Sequence, residues 1–171
     1  MNYNDIIRRL RYTFNLSDSK MIDIFALGGE KVTRALVSDW LKRDEDPAFI
    51  EILDKELAVF LNGLIIKNRD SKDGEIPLAE DRLNNNIIFR KLKIALNYKD
   101  DDILDLMKSV HFNLSRHELS AFFRKPFQPQ FRNCLDQVLR NFLMALQLKY
   151  RGNSTEGAHN DEYVQPEVKA S

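Results

Sequence analysis

The chain has 171 residues, 43% hydrophobic and 30% charged, with 26 basic residues balanced by 26 acidic ones. That composition is ordinary for a soluble globule, and a sequence pI near 6.8 argues against a nucleic-acid footprint spread over the whole molecule. The single Cys134 excludes an internal disulfide and a cysteine-based zinc site, and no run approaches the roughly 20 apolar residues of a membrane span.

Residues 4–69 recur without a gap as residues 86–151, a shift of 82 positions (86 − 4 = 82), with 19 of the 66 paired positions identical. An internal period of this kind sets the architecture before any local feature does. Each copy is predicted to form four helices and no strands. The first spans residues 4–14, where Ile6, Leu10 and Phe14 recur every fourth position; Ile88, Leu92 and Leu96 repeat them. The second starts at Ser17 or Asp18, either of which can accept a bond from the first turn, and carries Met21, Ile22 and Phe25. Its copy is expected to be capped by Asp100 and to carry Ile103, Leu104, Leu106 and Met107. Gly28 and Gly29 end the first version as glycine does just past a helix. Val110 and His111 stand there in the second, so that turn is expected to differ.

The third helix has paired caps, Thr33 and Ser115. Each is preceded by an apolar residue (Val32, Leu114), and another follows the cap by four positions (Val37, Leu119), the spacing of a hydrophobic staple. Ser115 and Glu118 complete a capping box. The helix is expected to stop before Pro47 and Pro129, since proline disfavours helical geometry at the residue before it. The fourth and longest helix is expected over residues 49–68. Phe49, Leu53, Leu57, Phe60, Leu61 and Leu64 form its core stripe, repeated from Phe131 to Leu146. Cys134 falls on that apolar face and reads as a buried thiol. Gly63 costs this helix about 1 kcal/mol relative to alanine; Ala145 is its counterpart, so close helix–helix approach is the expected reason.

The fold class is therefore all-α, a tandem duplication of a four-helix unit. Below roughly 70–80 residues one core rarely supplies more than about 3–5 kcal/mol, so the two repeats are expected to pack together. Residues 1–69 form repeat one and 84–151 repeat two. Residues 70–83 read as a charged linker, either a loop or a strap over one repeat, and 152–171 as a disordered polar tail. The opening MNYNDIIRRLRYTF lacks the apolar core of a signal peptide, and a reducing cytoplasm is the expected location.

The stretches NDIIRRLRYTF, AVFLNGLI followed by Arg69, NNNIIFRKLKIAL with DDDIL, and CLDQVLRNFL resemble the bacterial YehS-like family, a duplicated domain of unknown function. The likeness covers nearly all of residues 1–151. It departs where Arg69 is followed by Asp70 in place of glycine; only Arg151–Gly152 supplies that pair. The resemblance implies the duplicated helical fold and carries over no activity, cofactor or catalytic residue.

Reactive constellations are sparse. His111 and His117 are six apart with no cysteine or further histidine at ligand spacing, and His159 lies in the tail. Neither GxGxxG nor a P-loop occurs. Ser38 and Ser120 have no base nearby by local spacing. Asp44, Glu45 and Asp46 lack the alternation of a calcium loop, and Asp100, Asp101 and Asp102 read as helix-start charge. The chain is therefore read as a non-enzyme with no cofactor and no metal.

Charge offers the sharper alternative. Repeat two carries 12 basic and 6 acidic residues, between a linker and a tail at −3 each (2 − 5 and 1 − 4). Arg90, Lys91, Lys93, Arg124, Lys125, Arg132 and Arg140 are its candidate interaction or nucleic-acid patch, able to neutralise phosphates with steep salt dependence. A helix-turn-helix reading of the third helix fails, because Ile24 or Phe25 stands where a small residue belongs. Five polar pairs shared by the copies read as structural: Asn4/Asn86, Arg8/Arg90, Asp18/Asp100, Arg34/Arg116 and Asp54/Asp136, the last expected to meet one of the arginine pairs. The preferred expectation is a module that receives a protein partner. Nucleic-acid binding by repeat two is the alternative, self-association is open, and a membrane partner is not expected.

Overall fold

A computed structural model describes residues 1–69 and 76–152. The first repeat forms α1 (Tyr3–Thr13), α2 (Asp18–Leu27), α3 (Arg34–Leu41) and α4 (Asp54–Arg69). The second forms α5 (Asn85–Ala95), α6 (Asp100–Ser109), α7 (Arg116–Phe122) and α8 (Asp136–Arg151), and no strand occurs among the described residues. Residues 70–75 of the expected linker and 153–171 of the expected tail lie outside the described residues.

Local chemistry explains most boundaries. Ser17, Thr33, Asn84 and Ser115 each accept a bond from a backbone N–H of their own first turn. Asn2 caps α1 and forms a reciprocal box with Asp5. At α6 the cap is Lys99, one residue before the expected Asp100; the carboxylate of Asp102 accepts the Lys99 backbone N–H at 2.8 Å.

Helices α4 and α8 begin at Asp54 and Asp136, later than residues 49 and 131. Asn4 is the cause. It is fully buried and donates from Nδ2 to the carbonyls of Trp40 and Ile50, both at 2.9 Å, while its Oδ1 accepts the N–H of Ile52 at 3.0 Å. Backbone groups spoken for in this way cannot join a helical ladder. Asn86 repeats the arrangement with Phe122, Arg132 and Cys134 at 3.0, 2.8 and 2.9 Å. Leu53 and Leu135 consequently sit outside the core, 64% and 68% exposed, and Cys134 is buried in an extended segment and not on a helix face.

The turn after the second helix is the same in both copies, contrary to expectation. Gly29 has φ +102° and His111 has φ +58°. Glu30 N–H bonds to Phe25 O, and Phe112 N–H to Met107 O, each at 3.0 Å. Only glycine occupies that left-handed region without steric cost, so repeat two carries a small local strain at His111.

The repeats do not form separate cores. Helix α4 packs most extensively on α5, and α1 on α8, so each repeat's fourth helix lies against the other repeat's first. Exchanging the two copies maps one contact onto the other, which defines a pseudo-twofold axis. Two aspartates record the same exchange. Asp54 Oδ2 accepts the Leu83 N–H at 2.7 Å, and Asp136 lies 3.5 Å from the Met1 amine, Leu83 being the counterpart of Met1 (83 − 1 = 82). Within its own repeat, Asp54 accepts from the Tyr3 hydroxyl at 3.2 Å and Asp136 from Asn85 at 2.7 Å, another equivalent pair. The aspartates therefore hold the entry segments and not the expected arginines. Burial, reinforced by Asp54, pushes the Tyr3 hydroxyl up to about 12.

Of the linker, residues 76–83 form a strap along α4. Pro77 O accepts from Asn62 at 3.2 Å, and Glu80 pairs with Lys91 at 2.9 Å.

Candidate interaction groove and basic corner

One difference between the repeats opens a site. In repeat one, α2 and α4 touch backbone to backbone. A Cβ built on Gly63 would stand 1.8 Å from the carbonyl oxygen of Ile24, and one on Gly28 would stand 2.1 Å from that of Val59. Both copies of this glycine pair are replaced in repeat two, by Ala145 and Val110. The added carbon atoms hold α6 away from α8, whose contact is less extensive than that of α2 with α4.

The separation leaves a groove of about 590 Å³ between α6 and α8. Leu106, Ala145 and Leu148 line it, with Asp102 and Asp105 on the α6 rim and Lys149 on the α8 rim. Residues 102, 105, 106 and 109 lie three or four apart on α6, as do 145, 148, 149 and 152 along α8 and its cap, so each helix turns one continuous face to the groove. Leu148 remains 37% exposed, and Met144 on the same helix 39%. Leu106 is half-buried, whereas its repeat-one counterpart Ile24 is fully buried. Burial there, helped by nearby Lys20, holds the Lys67 ammonium below its ordinary value. Its counterpart Lys149 is exposed, donating to the Tyr98 hydroxyl at 3.3 Å.

The candidate basic residues divide into groups. Arg90 reaches the carbonyl of Phe123, beside Arg124 and Lys125, and the backbone N–H of Arg132 bonds to Ala121 O at 3.3 Å. These four therefore gather where the chain leaves α7 and returns toward α8. Phe127, 81% exposed, projects there with Lys125 5.9 Å from its ring. Lys91 faces the other way, bonded to Asn62 at 2.6 Å and paired with Glu80. Lys93 is held by Asp100 at 2.6 Å and lies over the Phe123 ring. Arg140 stands exposed on α8, one turn beyond Asp136. The full set of seven is thus not one surface.

His111 and His117 are both exposed, and no group of three or more His, Cys, Asp or Glu able to hold a metal ion occurs among the described residues. Burial pushes the Cys134 thiol up to about 12, so it is not a poised nucleophile. No helix among the described residues is long and apolar enough to cross a membrane.

The groove residues were not singled out from the sequence. Their signal lay in the aligned differences, Gly63 against Ala145 and Gly28 against Val110, which matter only once α2 and α4 are known to touch.

Fold and groove together define an all-α protein of two four-helix units that share one core. The chain belongs to the family described as "Protein of unknown function (DUF1456)", whose model matches residues 3–70 and again residues 85–152. It is similar to the uncharacterized protein YehS of Escherichia coli (strain K12), with 39% identity over 145 residues, covering 84% of this chain and 92% of that relative. No solved structure matches.

Proposed function

We propose that this protein is a non-catalytic cytoplasmic module that receives an amphipathic helix of a protein partner in the α6–α8 groove. The observation that carries the reading is the asymmetry between the repeats: the same inter-helix face is closed in one copy and open, apolar and lined at helical spacing in the other. A helix laid in such a groove presents apolar anchors three or four residues apart. Asp102 and Asp105 on the α6 rim favour a partner with basic residues on that side. The inert, unpaired Cys134 suits a reducing compartment.

The test is affinity capture with the intact protein, followed by binding measurements on the captured partner. Leu106→Lys and Leu148→Glu are expected to weaken binding at least about tenfold, since burying one large apolar side chain is worth about 1.5–3 kcal/mol. Unchanged affinity in both variants refutes the groove.

The corner formed by Arg90, Arg124, Lys125 and Arg132 around exposed Phe127 favours a second reading, nucleic-acid binding through phosphate neutralisation and base stacking. Gel shifts at low and high salt separate the two. Salt-sensitive binding lost on charge reversal at Arg124, Lys125 and Arg132 selects the second, and no shift selects the groove.

A further inference from the structure

Repeat one neutralises its own cations where its third helix ends, and repeat two does not. Arg8 and Arg90 occupy equivalent places, the first donating to Lys42 O at 2.6 Å and the second reaching Phe123 O. Arg8 is paired with Asp5 and, at 3.2 Å, with Asp44, and Lys42 is paired with Asp39 at 2.6 Å. The counterparts of Asp5, Asp39 and Asp44 in repeat two are Ile87, Ala121 and Pro126. The cations persist as Arg90, Arg124 and Lys125, and Arg132 is added where repeat one has Ile50. Among the described residues, none of these four lies within ion-pair distance of a carboxylate.

Beside them is a concavity of about 370 Å³, lined by Phe122, Leu135 and Val138 together with Glu118, Arg132 and Asn133. Glu118 already accepts from the Ser115 hydroxyl at 3.1 Å, and Asp136 is held by Asn85 and the Met1 amine. The corner therefore keeps a positive excess next to an apolar hollow.

Residues 153–171 carry the opposite sign, with four acids against Lys169. Two of the acids, Asp161 and Glu162, directly precede Tyr163 and Val164, so one short stretch combines negative charge with apolar side chains. Its reach fits. From Val138 to Gly152 the chain rises about 21 Å away from the corner, at 1.5 Å per helical residue. The nine residues from Gly152 to Asp161 span up to about 30 Å when extended. A second copy would bring the same cations to the same face, and like charges oppose that contact. The α6–α8 groove, with Asp102 and Asp105 against Lys149, disfavours the acidic stretch for the same reason.

We propose that residues 161–164 dock on this corner of their own chain. Asp161 and Glu162 supply the counter-charge that Asp5, Asp39 and Asp44 supply in repeat one, and Tyr163 enters the hollow beside Phe122. An anionic ligand then has to displace the segment to reach Arg124, Lys125 and Arg132. The contact rests on neither reading of the function above. Exposed ion pairs are individually weak and screened by salt, so docking is reversible and opens as ionic strength rises.

The experiment attaches a nitroxide to Asn160→Cys in the full chain, where buried Cys134 stays unlabelled. Paramagnetic broadening of backbone amides is read by NMR at low and high salt. Broadening at residues 124–127 and 132–135 is expected at low salt, with its loss at high salt. Arg124→Glu with Lys125→Glu should abolish it, as should Asp161→Lys with Glu162→Lys. All four changes together should restore it, which a misfolded variant could not do. Tyr163→Ser should weaken it. Spin-labelled protein mixed with isotope-enriched, unlabelled protein should give none, since the contact is within one chain. Absence of broadening at the corner, broadening centred on the α6–α8 groove, no restoration in the fourfold variant, or equal broadening in the mixture would overturn the proposal.

Discussion

Single residues hold this structure at points where the backbone would otherwise be unpaired. Asn4 is the clearest case, bridging α1 to both ends of the segment that joins α3 to α4 through three bonds. Removing it leaves the Trp40 carbonyl and the Ile52 N–H without partners in a buried place and the Ile50 carbonyl without one in a half-buried place, and each buried loss costs about 1–3 kcal/mol. Asn4→Ala is therefore expected to destabilise the protein by about 3 kcal/mol or more, read from urea denaturation. Asn86→Ala should cost a similar amount, because its three bonds have the same acceptors and donor by position. A difference between them larger than about 2 kcal/mol would show that the equivalence is geometric but not energetic. The identity of both asparagines was visible in the aligned repeats. Their role as loop anchors was not, since their partners lie 36–48 positions away in the chain.

At the scale of elements, the two copies of one helix pair show how much a methyl group decides. In an ordinary helix, Gly→Ala stabilises by about 1 kcal/mol. Gly63→Ala should do the opposite, because its Cβ would stand 1.8 Å from Ile24 O, a backbone atom that cannot step aside alone. A drop of about 2 kcal/mol or more is expected from overpacking, seen as a lower denaturation midpoint. Ala145→Gly in repeat two meets no such constraint and should cost only the helix-propensity difference of about 1 kcal/mol. The sequence pattern placed the fourth helix correctly but extended it too far upstream. Phe49 and Leu53 continue the apolar spacing in sequence, yet Asn4 and the residues around Pro47 hold that segment extended.

Over the whole molecule, the pairing of α1 with α8 and α4 with α5 means that neither repeat closes its own core. Phe14 packs on Tyr150 at 5.3 Å between ring centroids, and Asn68 donates to Ala95 O at 3.1 Å, each contact crossing between the copies. Residues 1–69 and 84–152 expressed separately are expected to show weak, non-cooperative thermal transitions by circular dichroism. Mixing them at equal concentration should restore a cooperative one. Independent, cooperative melting of either half would show that the shared core is dispensable.

The amino-acid sequence by itself determined the duplication, the helical class and, to within a residue, the starts of the first three helices of each repeat, because periodicity and capping act over a few residues and are written locally. Tertiary structure alone decided which helices exchange partners and which glycines are contacts. Those outcomes depend on distances between segments far apart in the chain, where one added carbon changes a surface without changing any helix.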